Sequence, residues 1–235
     1  MVGNSNYKVA LSDLSTTIGA MPTKRSYGDP CGIARALDLV GERWALLVVR
    51  ELLLGPKRFT DLRAGLPHLS ADVLSQRLRE LEQAGIVRRT KLPPPAGSRV
   101  YELTAWGKEL EPVVISLGRW GSRGPFPDSD MPLGADSLMI ALKTLFERSR
   151  ADGHDSVIEI VLGEDSFRAS VAGGKLDIVR GAAECPVARI ECDPSTLAAA
   201  MWHGRPIDDG GIEIEGDRAA AERFLALFPA PQPVS

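Results

Sequence analysis

At 235 residues the chain has room for one large domain or two ordinary ones. Its 44% hydrophobic and 25% charged content is that of a globular protein and excludes a collagen-like or generally disordered chain. The net charge of −3 hides an asymmetry: residues 1–124 carry 18 Lys and Arg against 12 Asp and Glu, while residues 125–235 carry 10 against 19. That contrast predicts two halves with different partners, the basic one facing phosphates.

Cys31, Cys185 and Cys192 match neither a disulfide framework nor a zinc spacing, which points to a reducing compartment. The apolar stretch from Trp44 to Leu54 contains Arg50 and Glu51 and is too short to span a bilayer. The first twenty residues lack a basic region followed by an apolar one, so no secretory signal is read there. A cytoplasmic protein without a membrane partner is expected.

Residues 1–24 are mixed and polar and read as a disordered arm. Asp29-Pro30 sets up a first helix from Gly32 to Val40, and Gly41 separates it from a second, Glu42 to Leu54, apolar on most sides. Gly55-Pro56 ends that helix. A third runs from Phe59 to Ala64 and is closed by Gly65 and Pro67.

The stretch Leu69 to Gly85 predicts a fourth helix. Leu74, Leu78 and Leu81 fall on one face, and Asp72, Ser75, Gln76 and Arg79 on the opposite, wet one. Ser70 suits the N-cap and Gly85 a left-handed C-cap. Two helices joined by a tight turn, the second exposed and polar, form a helix-turn-helix. Ile86–Leu92 and Arg99–Leu103 then read as two strands flanking the loop Pro93–Ser98, a hairpin placed as a wing. Thr104 can cap a further helix toward Trp120, which Pro112 either bends or restarts.

Residues 30–121 resemble the HxlR-type winged helix-turn-helix regulators of bacteria. The resemblance is carried by Cys31, Leu39-Val-Gly-Glu-Arg-Trp-Ala-Leu-Leu47, Arg50-Glu-Leu-Leu53, Gly55, Arg58-Phe59-Thr-Asp-Leu62, Leu74-Ser-Gln-Arg-Leu78, Leu81, Gly85, Tyr101-Glu-Leu-Thr104 and Gly107. It implies a homodimer on an inverted-repeat operator in double-stranded DNA; a repressor rather than an activator is the expected sense of regulation. The dimer surface would come from the first helix and the helix near residues 105–120. Val113, Val114, Leu117 and Trp120 are more apolar surface than a small domain needs to cover.

Gly124-Pro-Phe-Pro-Asp-Ser-Asp-Met-Pro132 reads as a proline-stiffened linker. A helix follows from Ala135 to Arg150. Strands come next at Val157–Leu162, Phe167–Val171, Leu176–Val179 and Val187–Cys192. A helix from Asp193 to Trp202, a strand at Ile212–Glu215 and a helix from Asp217 to Phe228 complete the pattern. This order resembles the sterol-carrier-protein-2-like fold over residues 134–229. Gly173-Gly174-Lys175, Asp193-Pro-Ser-Thr-Leu-Ala198, Gly204 and Gly211-Ile-Glu-Ile-Glu-Gly216-Asp217 are its closest points. That fold implies an apolar cavity between sheet and helices, and hence sensing of a small hydrophobic or lipid-like effector.

The expected architecture is thus α+β: an arm (1–24), a winged helix-turn-helix domain (25–123), a linker (124–133), a sterol-carrier-like α/β sandwich (134–229) and a tail (230–235). For DNA the candidates are Ser70, Asp72, Ser75, Gln76 and Arg79 on the fourth helix, with Arg77 on its flank as a phosphate contact or internal salt bridge. Gln pairs with adenine and Arg with guanine in the major groove. Lys57, Arg58, Arg88, Arg89, Lys91 and Arg99 suit phosphates and the minor groove, the alternative for each being solvated charge.

Cys31 begins the first helix, where a thiolate is favoured. Relatives that sense quinones or oxidants carry a cysteine there, so the resemblance implies a candidate redox thiol; a small packed residue is the plainer alternative. Met201, Trp202 and Phe224 either line a ligand cavity or are ordinary core. His68, His154 and His203 lack partners at ligand spacing, so no metal is expected. Neither a nucleophile elbow nor a phosphate loop is present, so neither enzyme nor cofactor is expected. A second function remains open: a carrier of hydrophobic ligands whose winged half serves only dimerisation.

Overall fold

The computed structural model describes residues 26–93, 97–125 and 133–234. The arm, most of the linker and the tip of the wing loop lie outside them. Compact units divide between Glu42 and Arg43.

In the first unit, helix α1 (Gly32–Val40) follows an extended segment. The Asp38 carboxylate accepts from the Ser26 hydroxyl at 2.8 Å and the Tyr27 N–H at 3.0 Å, tying that segment to the helix. Ile33 and Leu37 are exposed.

The second unit opens with α2 (Ala45–Leu52), three residues later than the sequence predicts. Trp44 is the reason: it sits at the N-cap with φ 78°, a left-handed conformation that cannot continue a helix upstream. The Arg43 guanidinium lies 5.2 Å from the Trp44 ring. α3 (Phe59–Gly65) and α4 (Ala71–Gln83) follow. Leu74, Leu78 and Leu81 of α4 are fully buried with Val48, Val49, Leu52 and Leu62. Each such leucine contributes roughly 2 kcal/mol of transfer free energy.

Strands β1 (Val87–Lys91) and β2 (Arg99–Leu103) pair antiparallel, Arg89 opposite Tyr101. Lys57 adds a rung the sequence did not suggest. Its N–H donates to the Tyr101 carbonyl at 3.0 Å, and its carbonyl accepts from the Tyr101 N–H at 2.8 Å. α5 (Ala105–Lys108) is capped by the Thr104 hydroxyl, and α6 (Glu111–Gly121) starts afresh with proline in its first turn. Of the two outcomes open at Pro112, the chain takes the restart, because proline's missing N–H costs nothing at a helix start.

α7 (Ala135–Leu145) leads into a five-stranded sheet. Its strands are β3 (Ser156–Leu162), β4 (Asp165–Ala172), β5 (Lys175–Arg180), β6 (Ala188–Cys192) and β7 (Ile212–Gly216), ordered β5-β4-β3-β6-β7. Only β3 and β6 run parallel; the other pairs are antiparallel. α8 (Pro194–Trp202) and α9 (Arg218–Leu225) complete the layer.

Alternation sorts the sheet. Ile158, Ile160, Phe167, Ala169, Val171, Ile178, Ala188 and Ile190 point into the core with Leu138, Leu142, Leu197 and Phe224. The other face is polar and crossed by ion pairs such as Arg189 with Glu191 at 2.6 Å. Leu54 of the winged half belongs to this same core, with Leu53, Val114 and Ile115 packed against it.

Candidate nucleic-acid interface

The exposed face of α4 is built by its two ends. The Ser70 hydroxyl accepts from the Val73 N–H at 3.3 Å, filling one of the unpaired first-turn donors. At the other end Gly85 takes φ 71°, its N–H donates to the Glu82 carbonyl at 3.0 Å, and the Ile86 N–H donates to the Leu81 carbonyl at 2.9 Å. This double closure is the Schellman arrangement, which glycine adopts without Cβ strain. It turns the chain directly into the wing.

Between these ends Asp72, Gln76 and Arg79 are exposed and Ser75 is half-buried. The face is ordered by a relay: Arg79 Nη2 donates to Gln76 Oε1 at 2.6 Å, and Gln76 Nε2 donates to Glu80 Oε1 at 2.9 Å. A guanidinium and an amide are thereby held side by side. Arg77 lies on the flank and reaches Glu80 at 2.5 Å, the internal salt bridge that was one of its two expected roles. Val73, 38% exposed one residue from Asp72, joins this face. Its spacing of three from Gln76 was the available signal, outweighed by its apolar side chain. An aliphatic group there is suited to a thymine methyl.

Arg58 is exposed beside α3, its N–H donating to Asp61 at 3.1 Å, and Arg63 of the same helix is exposed as well. On the wing Arg88 pairs with Glu102 at 2.8 Å, while Arg89 pairs with Glu82 at 3.0 Å and lies 5.1 Å from the Tyr101 ring. Lys91 and Arg99 are directly opposite one another and exposed, two like charges on neighbouring strands. Such a pair is unfavourable in isolation and is relieved by an anion.

Lys57 departs from the expectation. It is 8% exposed, and its ammonium donates to Glu51 Oε2 at 2.7 Å and Asp136 Oδ2 at 2.6 Å. With both carboxylates engaged it is removed from the phosphate-contacting set. Its side chain turns inward to these two acids while Arg58 next to it is exposed. The chain of charges continues: Arg50 binds Glu51 at 2.8 Å, Arg180 grips both oxygens of Asp136 at 2.6 and 2.7 Å, and Arg180 also binds Asp165. Burial works against the Arg180 charge, but Asp136 and Asp165 outweigh it and hold its pKa above the ordinary arginine value. Gly65 makes room for this chain, because a Cβ there would lie 2.2 Å from Glu51 Oε2.

The remaining candidates lie elsewhere. Cys31 is exposed at the N-cap of α1, its N–H donating to Asp29 at 2.8 Å. Cys185 is exposed, whereas burial pushes the Cys192 thiol up to about 12. Phe224 is fully buried with its ring 5.0 Å from that of Phe228, and the Trp202 indole donates to the Phe228 carbonyl at 3.1 Å. Met201 is half-buried against the same core. Among the described residues no helix is long and apolar enough to cross a membrane.

Residues 39–125 match the HxlR-like helix-turn-helix family. The chain is 41% identical over 88 residues to the HTH-type transcriptional regulator YvaP of Bacillus subtilis, covering 37% of this chain and 82% of the relative. It is 38% identical over 88 residues to the HTH-type transcriptional regulator YodB of the same organism, covering 37% of this chain and 79% of the relative. The solved reduced form of YodB has a TM-score of 0.36 at 36% identity, over 40% of this chain and 92% of that one. On the extent and level of identity to these relatives, the chain belongs to the HxlR-like helix-turn-helix family.

Proposed function

We propose that the protein is a sequence-specific DNA-binding transcriptional regulator that works as a homodimer on an inverted-repeat operator, as a repressor. The observation that carries this reading is the exposed, ordered polar face of α4, where Gln76 and Arg79 are held for base edges and the cations of the wing stand ready for phosphate. Dimerisation is supported by apolar side chains left in water: Val113, Leu117 and Trp120 on α6, the last 76% exposed, and Ile33 and Leu37 on α1.

Within this reading, residues 25–123 bind DNA and residues 134–229 act as a sterol-carrier-like sensing half for a small hydrophobic or lipid-like effector. The strand order and the helices α7, α8 and α9 over one sheet face support it. Entry of such an effector requires Trp202 and Phe224 to give up their contacts with Phe228. Native mass spectrometry of the purified protein tests this, a solid interior giving the bare chain mass only.

The DNA reading is tested by gel retardation on the gene's own upstream region across a salt series. Binding that weakens steeply with salt is expected; absence of retardation even at low salt overturns it. Cys31 supports a second reading, because its thiol is exposed. A quinone should then change DNA affinity in the wild type and leave Cys31→Ser unaffected.

A further inference from the structure

A cavity of about 410 Å³ opens where the end of α6, the end of α7 and the C-terminal segment Pro229–Gln232 meet. That volume is within the range of small-molecule sites. Its walls are of two kinds. Arg119 and Arg123 of α6 line it, with Arg148 at its edge reaching toward the Gly174 turn, while Leu145, Phe146 and Pro229 supply an apolar floor.

The arginines outnumber the acid in the lining. Arg119 Nε donates to the Thr144 carbonyl at 3.2 Å and Arg123 Nε donates to the Gln232 carbonyl at 3.3 Å. Both bonds go to neutral backbone oxygens and fix the side chains without cancelling their charge. None of the three arginines is in a salt bridge among the described residues. Glu147 is the one carboxylate in the lining; its Oε1 accepts from the Ser149 N–H at 3.2 Å and the Ser149 hydroxyl at 2.8 Å, and its charge acts on Arg119 and Arg150, which leaves the arginines in excess. The cavity is therefore net cationic beside an apolar wall. The segment closing it is pinned by the Val234 N–H, which donates to the Arg123 carbonyl at 2.9 Å.

We infer that this cavity is a binding site for a small organic acid, its carboxylate held by the arginines and its apolar body laid on Phe146 and Leu145. Arginine's planar fork matches a carboxylate in two parallel bonds. A bare inorganic anion leaves the floor unused, and a neutral apolar molecule leaves the guanidiniums uncompensated. The site reaches onto α6, the helix assigned above to dimerisation, so its regulatory consequence rests on that reading; binding itself does not.

Isothermal titration calorimetry on the full chain tests it, with benzoate, octanoate, benzamide and inorganic phosphate as probes. Saturable binding of benzoate or octanoate, one per chain, is expected, with a dissociation constant on the order of 0.1–1 mM for ligands of this size. Benzamide and phosphate should each bind about tenfold more weakly, and Arg119→Gln and Arg123→Gln should each weaken benzoate about tenfold while melting like the wild type. Absence of saturable heat from both acids overturns the proposal. So does unchanged affinity in both variants. Phosphate binding as tightly as benzoate overturns the organic-acid assignment. The titration contains no DNA, so its failure and a failed gel retardation are separate results.

Discussion

Lys57 and Arg58 are neighbours in sequence with the same formal charge, yet they belong to two regions that use charge in opposite ways. Around Arg58, α4 and the wing, cations stand in water, paired lightly or not at all, where an exposed ion pair adds about 0–1 kcal/mol. Around Lys57 a line of charges runs from Arg50 through Glu51, Asp136 and Arg180 to Asp165, with Glu51 and Asp136 fully enclosed. There Glu51, Lys57 and Asp136 depend on one another, because a buried charge without a partner is costly. The lesson is that charge alone does not separate residues kept for a partner from residues kept for the fold. The position of the acids does: Lys57 meets Glu51 and Asp136 inside, while Arg58 beside it is exposed.

The contrast breaks first at Asp136. Replacing it with alanine takes away the buried partner that Lys57 and Arg180 share, leaving them Glu51 and Asp165 alone, and should cost up to about 3–5 kcal/mol of stability in a denaturant melt. A loss under 1 kcal/mol would mean that water reaches these charges and that the two regions do not differ. Arg79→Ala should behave inversely, weakening specific DNA binding by about 1–3 kcal/mol while shifting stability by no more than about 0.5 kcal/mol. Equal losses in both measurements would assign Arg79 to the fold.

Smaller effects sharpen the picture. Ser70→Ala removes the cap of α4 and should cost about 1 kcal/mol in thermal unfolding. Lys91→Ala and Arg99→Ala should weaken binding evenly across DNA sequences and lower the salt slope by about 1 each, measured by fluorescence anisotropy. Smallest of all, iodoacetamide at pH 8 should modify Cys31 and Cys185 in the native protein and reach Cys192, whose thiol is held protonated by burial, only after unfolding.

What the sequence made legible follows the range of the interaction. Leucine spacing, a serine cap and a glycine stop are local, and α4 sits where they put it. The sheet strands likewise match their alternation. Trp44 was not legible as a helix breaker, since nothing in its residue type demands a left-handed backbone. The inward turn of Lys57 was hidden because Asp136 lies 79 residues downstream. Charge asymmetry between the halves was visible from counting, but not that α2 and α7 share a line of buried ions. The cationic cavity drew on segments more than 100 residues apart, and no short motif announces such a meeting.

Gly65 carries a consequence for genetics. It closes α3, and the space a side chain would need is already held by the Glu51 carboxylate. Gly65→Ala therefore injures no DNA-contacting group, yet it presses on the charge line that joins α2 to α7. If the protein represses as proposed, a strain bearing it should carry a temperature-sensitive allele, with target genes regulated normally in the cold and released together as the culture warms.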